Sequence, residues 1–141
     1  REVTTMIWAV SALCLISAFH GLDYKVPQKV NKILFSGETM PRKHLENWMN
    51  ALKGAQFVNL YGPTEITCNC TYHKVDRSAD YSNGLPIGKA FPNERVFLLS
   101  DTDSIITEKE VTGELCVSGT ALGLGYYNNP EQTGLRFVQN R

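Results

Sequence analysis

The sequence predicts an α/β fold, with a parallel strand-helix-strand portion followed by a β-rich antiparallel portion. Three observations support this prediction. Apolar, strand-like runs alternate with helical patterns up to about residue 75; the helical periodicity then stops; and short β-branched runs separated by turn residues fill most of the remainder. We therefore expect an α/β portion at residues 1–75 and a β-rich portion with a Gly-rich segment at residues 76–141.

The first portion opens with a strand that runs directly into a helix. Residues 3–8 are β-branched and aromatic, which favours a strand, and residues 9–19 are typical of a helix that ends near Gly21. After a loop at residues 20–28, the apolar residues 32–35 predict a second strand. A strand followed at once by a helix is typical of an α/β arrangement.

The next segment predicts a second helix and a third strand. Pro41 suits the first turn of a helix over residues 41–53, and Gly54 suits its C-terminal cap. The apolar residues of this segment recur at the spacing of one helical face; they are Leu45, Trp48, Met49 and Leu52. A strand at residues 55–61 completes a strand-helix-strand unit, for which parallel pairing is expected.

Polar turns follow the second and third strands, at residues 36–39 and 61–65. Because ligands of open α/β sheets bind at the carboxyl ends of the strands, these turns are candidate ligand contacts. Gly62 and Pro63 turn the chain just before the hydroxyl of Thr64 and the carboxylate of Glu65, an order that suits an anion or metal site. The alternative is an ordinary turn in which Thr64 is a helix N-cap and Glu65 lies in the first turn.

The second portion reads as short strands and turns. A strand is predicted at residues 67–75, a polar loop at 76–84, and antiparallel strands at 95–100, 105–107 and 114–118. Pro130 follows Asn129 in a pattern that predicts the start of a final helix.

Composition excludes several classes of protein. The 141 residues carry 14 basic and 14 acidic side chains, so we expect neither a nucleic-acid surface nor an anionic-membrane surface. The apolar stretch at residues 6–19 is shorter than the ~20 residues of a membrane span, and no signal-peptide layout is present, so we expect a cytoplasmic protein. We interpret the four cysteines as reduced, and Cys68 and Cys70 as buried or half-buried thiols on a strand.

Three segments together resemble one family. Residues 59–65 (NLYGPTE), 85–89 (LPIGK) and 113–133 resemble, in order and spacing, the adenylate-forming enzymes, specifically the amino-acid adenylation domains of nonribosomal peptide synthetases. The resemblance implies a fragment of the adenylate-forming, acyl-CoA synthetase-like fold. It also implies that ATP and a carboxylic acid form an acyl-adenylate, whose acyl group passes to the phosphopantetheine thiol of a carrier protein.

The resemblance implies a role for particular residues. Tyr61 would stack on adenine, Thr64 would bond the α-phosphate, and Glu65 would be both catalytic and the Mg²⁺ ligand. The residues expected to bind ATP are Gly37, Glu38, Thr39, Asn59, Leu60, Tyr61 and Gly62. The residues expected to line the acyl pocket are Leu34, Ser36, Leu60, Cys68 and Asn69, whose small to medium size favours an amino acid or other small carboxylic acid with a modest side chain.

Departures from the family pattern define the expected extent of the site. The chain has no phosphate loop with its lysine, no ribose-binding acid and no C-terminal lysine, and it has Gly123-Leu124-Gly125 where Ala-Arg-Gly is common. Because the chain also lacks a Met start, we expect a central fragment of the large N-terminal domain, inactive alone and prone to self-association through exposed strand edges. The alternatives are a fragment of a D-alanine:carrier-protein ligase or acyl-CoA ligase, and a non-catalytic nucleotide-binding or interaction module.

Overall fold

The computed structural model describes residues 2–138 of the chain. The predicted strands and helices occur in the predicted order, but a short helix at Gly21–Tyr24 lies where a loop was predicted, and the two-residue strand Lys89–Ala90 was not predicted. In chain order these elements are β1 (Thr5–Ala9), α1 (Val10–Ala18), α2 (Gly21–Tyr24), β2 (Lys32–Ser36), α3 (Arg42–Ala51), β3 (Gln56–Tyr61), a 3-10 helix (Thr64–Ile66), β4 (Thr71–Lys74), β5 (Lys89–Ala90), β6 (Glu94–Leu99), β7 (Ile105–Ile106), β8 (Glu114–Gly119) and α4 (Pro130–Arg136).

Contacts between residues group the chain into two compact units that alternate along the sequence. The first unit comprises residues 1–61 and 71–91, and the second comprises residues 62–70 and 92–141. The chain therefore leaves the first unit at Tyr61 and returns to it at Thr71. The division of the sequence into 1–75 and 76–141 stays a prediction.

The first unit contains a five-stranded sheet in the order β1-β2-β3-β4-β5. Strands β1, β2 and β3 pair in parallel, and β4 is antiparallel to β3. Helices α1 and α3 connect the parallel strands and carry core residues, among them Leu13 and Trp48, which are at most 2% exposed. The indole Nε1 of Trp48 donates to the carbonyl of Leu13 at 2.9 Å, so the two helices are also joined by a hydrogen bond. The predicted parallel strand-helix-strand portion is confirmed.

The C-terminus of α3 differs from the prediction. The sequence suggested Gly54 as the cap, but the capping position is Leu52. The carbonyls near this end are bound instead by Arg77, whose guanidinium donates to Met49 O at 2.9 Å, to Leu52 O at 2.7 Å and to Ala55 O at 2.8 Å. A cation at a helix C-terminus is favourable because the carbonyls there carry partial negative charge. A side chain that is distant in sequence therefore binds the carbonyls at the end of the helix, where the local pattern predicted a glycine cap.

We expect Arg77→Ala to lower the free energy of unfolding by about 1–3 kcal/mol, because it removes a charged donor from the carbonyls of Met49, Leu52 and Ala55 at the end of α3. Arg77→Lys should recover only part of this loss, since an ammonium lacks the planar fork that reaches three carbonyls. Chemical denaturation measures the difference. Lys43→Ala, which removes an exposed cation from the same helix, is the control and should change stability little. Equal stability of Arg77→Ala and the parent chain would contradict this account of the helix end.

The second unit contains a three-stranded sheet in the order β7-β6-β8. All of its pairings are antiparallel, with Leu98 opposite Ile106 and Phe97 opposite Cys116. The predicted turn between β6 and β7 is confirmed, since Ser100 N donates to Ser104 O at 2.9 Å. Helix α4 begins as predicted, with Pro130 at its start and the Asn129 side chain accepting from Gln132 N.

One predicted strand is shorter than expected. The sequence favoured a strand over residues 67–75, but β4 begins only at Thr71. Thr67 and Cys68 have φ angles of 52° and 89°, which no β-strand accommodates. Cys68 is accordingly an exposed loop residue, while Cys70 is fully buried and all four cysteines are free thiols.

Several large apolar side chains of the first unit are exposed. Trp8 is 42% exposed, Phe19 is 77% exposed, and β1 is an edge strand of its sheet. Exposed apolar surface and an open strand edge favour association, so the self-association of this chain stays a prediction that light scattering can check. No helix in residues 2–138 has the length and apolar character needed to cross a membrane.

Candidate active site

The carboxyl ends of β2 and β3 bring together two of the predicted segments within the first unit. The two strands are parallel, with Phe35 opposite Asn59, so the turn Gly37, Glu38 and Thr39 follows β2 at the same end of the sheet as Tyr61. All three turn residues are exposed, whereas Leu34, Ser36 and Tyr61 are half-buried and Leu60 is buried. Gly37 has a φ of +97° with open space around its missing Cβ, which suits a turn that a ligand can approach.

Asn59 has an internal partner. The residue is 8% exposed, and its Nδ2 donates to the carbonyl of Pro86 at 2.9 Å. Thr71 Oγ1 donates to the next carbonyl, Ile87 O, at 2.7 Å. A Cβ on Gly88 would lie 2.0 Å from Tyr72 O, so only glycine permits this close approach. The segment at residues 85–89 is thus bound to β3 and β4 by side-chain hydrogen bonds and by close backbone packing.

Glu65 lies in the single turn of 3-10 helix that belongs to the second unit. The N-cap of this turn is Pro63, and no side chain caps it. The interpretation of Thr64 as a helix cap is therefore wrong; Thr64 is exposed as the first residue of the turn. Ile66, which is fully buried, anchors the turn. The sequence predicted the turn but misjudged which residue begins it.

Close backbone packing around position 62 requires glycine there. A Cβ at this position would lie 2.6 Å from Asn69 Cα, 2.7 Å from Cys68 O and 2.9 Å from Cys70 N. All three are backbone atoms, which cannot move aside as a flexible side chain would. Gly62 was predicted to permit close approach of a ligand, and residues 68–70 also pack directly against it.

The carboxylate of Glu65 accepts a hydrogen bond from the phenol of Tyr126. This bond, a bond from its own backbone and the charge of Arg136 lower the pKa of Glu65, although partial burial opposes them. The same bond raises the pKa of Tyr126. Sequence reasoning gave Tyr126 no role, and the only signal for it was its place in the segment 113–133 that resembles the family.

Cys68 and Asn69, two of the predicted pocket residues, lie on the loop after this turn. Asn69 Nδ2 donates to Cys68 Sγ at 3.2 Å, and its Oδ1 is buried without a hydrogen-bond partner within residues 2–138. Cys68 has a φ of 89°, a backbone conformation that residues other than glycine rarely adopt. Such backbone strain occurs preferentially at ligand-binding positions.

The predicted metal requires only a modest set of protein ligands. Within residues 2–138 no group of three or more His, Cys, Asp or Glu could hold an ion unaided. Mg²⁺ usually takes one or two protein carboxylates together with phosphate oxygens and water, so a single carboxylate at Glu65 fits a metal that arrives with a nucleotide.

An open depression of about 340 Å³ in the first unit contains none of the predicted site residues; it is lined by Tyr72, His73, Lys74, Gly88 and Lys89.

Comparison with known proteins identifies the class to which this fold and these segments belong. The family described as AMP-binding enzyme matches residues 1–127, so the chain belongs to that family. The chain is 38% identical over 109 residues to surfactin synthase subunit 1 of Bacillus subtilis (strain 168), covering 77% of this chain and 3% of that protein. It is 31% identical over 140 residues to tyrocidine synthase 3 of Brevibacillus parabrevis, covering 99% of this chain and 2% of that protein.

Solved structures agree with this assignment and confirm the adenylate-forming fold. The Vibrio cholerae adenylation domain AlmE, in complex with glycyl-adenosine-5'-phosphate, superposes with a TM-score of 0.84 at 28% identity, over 99% of this chain and 27% of that one. Holo-PA1221, a nonribosomal peptide synthetase protein containing adenylation and PCP domains, superposes with a TM-score of 0.83 at 26% identity, over 94% of this chain and 23% of that one. The chain thus spans a small part of the proteins that it matches.

Proposed function

We propose that this chain is part of an ATP-dependent ligase that activates an amino acid as an aminoacyl-AMP and passes the acyl group to the thiol of a carrier protein. The observation that carries the proposal is the likeness, over 99% of the chain, to an adenylation domain whose structure holds glycyl-adenosine-5'-phosphate. A carrier partner is supported by the likeness to a protein that contains adenylation and PCP domains.

In the first unit, the proposed roles concern the base and the substrate. Tyr61 is half-buried at the end of β3, where its ring would stack on adenine. The backbone of Leu60 would contact the adenine amino group, and the exposed turn Gly37–Thr39 would meet the other face of the base. Leu34 and Ser36, half-buried on β2, would contact the acyl side chain.

In the second unit, the proposed roles concern the phosphates. The exposed hydroxyl of Thr64 would donate to the α-phosphate while a carboxylate oxygen of the amino acid attacks the α-phosphorus and the bond to the β-phosphate breaks. Glu65 would hold Mg²⁺, which when bound neutralises charge on the phosphate oxygens. Pyrophosphate leaves with the electron pair of the broken bond. Cys68 and Asn69 would contact the substrate from the loop that packs on Gly62.

The experiment that tests this function is exchange of labelled pyrophosphate into ATP by the full-length protein that carries this chain. We expect exchange that depends on one or a few small, uncharged amino acids when each proteinogenic amino acid is supplied in turn. Exchange that requires no added amino acid is a background and is subtracted. A protein that exchanges with none of them, yet consumes ATP with coenzyme A and a fatty acid, would overturn the proposal in favour of an acyl-CoA ligase.

A further inference from the structure

Tyr126 is 61 residues from Glu65 in the sequence, and its phenol O–H donates a hydrogen bond to Oε1 of the Glu65 carboxylate. We propose that Tyr126 is a positioning residue that orients the Glu65 carboxylate so that its other oxygen is presented to Mg²⁺. This inference rests on the proposed function, because that function makes Glu65 the metal ligand. The assignment concerns a residue to which neither the sequence pattern nor the comparisons give a role.

The ring of Tyr126 is held in place by α4 and the residues around it. Its ring and that of Phe137 pack edge to face, with centroids 5.4 Å apart and planes at 83°. Its backbone N donates to Thr133 Oγ1 at 2.9 Å, and that hydroxyl donates in turn to Asn129 O at 2.8 Å. A phenol fixed by packing and by its backbone is a defined donor, which a freely rotating side chain would not be.

The backbone of Glu65 is bound by the same segment. Gly123 N donates to Glu65 O at 2.7 Å, and Thr67 Oγ1 donates to Ala121 O at 2.6 Å. A Cβ at Gly123 would lie 3.2 Å from Glu65 O, so glycine eases this approach. Both the main chain and the carboxylate of Glu65 are therefore set by residues 121–126, and the orientation of the carboxylate is specified rather than free.

An oriented carboxylate is what a metal ligand requires. An ionised carboxylate accepts through two oxygens, so a donor on one leaves the other for a cation. Apart from the bond from its own backbone, the carboxylate of Glu65 accepts from Tyr126 alone among residues 2–138, and the bond from Tyr126 is to Oε1. Partners that orient a ligand in this way typically contribute about 10–100-fold to metal affinity or activity.

The test is Tyr126→Phe in the full-length protein, which keeps the ring against Phe137 and removes only the O–H. We measure Mn²⁺ binding by electron paramagnetic resonance in the presence of a non-hydrolysable ATP analogue, and the Mg²⁺ half-saturation of pyrophosphate exchange. Both should weaken by about 10–100-fold. The KM for the amino acid should stay unchanged. The matched control is Tyr127→Phe, the same substitution at a fully exposed neighbour, which should change neither quantity.

Unchanged Mn²⁺ affinity in a folded Tyr126→Phe protein would overturn the inference, as would an equal loss in Tyr127→Phe. Glu65→Gln separates this outcome from failure of the proposed function. If Glu65→Gln weakens Mn²⁺ binding and Tyr126→Phe does not, Glu65 is the ligand and the positioning role alone fails. If Glu65→Gln also leaves Mn²⁺ affinity unchanged, the metal role proposed for Glu65 fails and this inference fails with it.

Discussion

Replacing Glu65 by glutamine in the full-length protein is expected to lower amino-acid-dependent pyrophosphate exchange by at least about 100-fold, the scale of loss found when a group that stabilises transition-state charge is removed. The amide keeps an oxygen that can accept from Tyr126, so the 3-10 turn should remain folded. It carries no negative charge, so it is a poor ligand for Mg²⁺. The loss should fall on kcat rather than on the KM for the amino acid.

The matched control for Glu65→Gln is Glu131→Gln, which makes the same change at an exposed carboxylate in the first turn of α4. It should retain exchange, apart from a small change in the stability of α4 through lost interaction with the helix dipole. Far-ultraviolet circular dichroism of both proteins checks that they are folded. Equal exchange by Glu65→Gln and the parent protein would remove Glu65 from the catalytic machinery.

Gly62→Ala is expected to produce the second large effect, and it acts through shape rather than charge. The added methyl would stand within 2.9 Å of three backbone atoms of residues 68–70, so that loop or the turn before Thr64 must shift. Overpacking of this kind typically costs about 1–3 kcal/mol of stability. A displacement of about 1 Å at a reacting centre can cost about 100-fold in rate. We therefore expect both a lower unfolding midpoint and a loss of exchange of about 100-fold.

Gly134→Ala provides the comparison for Gly62→Ala. It is the same substitution in the same unit, within α4, and its Cβ would meet no heavy atom within 4 Å. Because alanine favours a helix over glycine by roughly 0.5–1 kcal/mol, this variant should be as stable as the parent or more so. If Gly62→Ala were equally well tolerated, the packing of residues 68–70 against Gly62 would not limit the geometry of the site.

Much of the fold could be predicted because its signals are local. The runs that became β2 and β3, the apolar face of α3 and the proline at the start of α4 each specify their element within a few residues. The family itself was predicted from three short segments and is confirmed by the match over residues 1–127. What the sequence could not supply were the contacts between distant residues.

Arg77 and Tyr126 illustrate what was missed. The carbonyls that Arg77 binds and the carboxylate that Tyr126 binds belong to residues far from these two side chains in the sequence. No periodicity or turn rule encodes such a pairing. Thr67 and Cys68 were assigned to a strand because their composition suits one, whereas both have positive φ angles in a loop of which residues 68–70 pack against Gly62. The roles assigned to Thr64, Tyr61 and the pocket residues remain predictions.

The alternation of the two compact units along the sequence has a consequence for how the protein is made. Residues 62–70, which carry Thr64 and Glu65, emerge from the ribosome before any of their companions in residues 92–138. Because compact units generally fold as wholes during synthesis, the segment bearing Glu65 cannot complete its own unit until the later residues of that unit have been made. A pause of translation between residues 91 and 138 would prolong the exposure of residues 62–70 to proteases and chaperones.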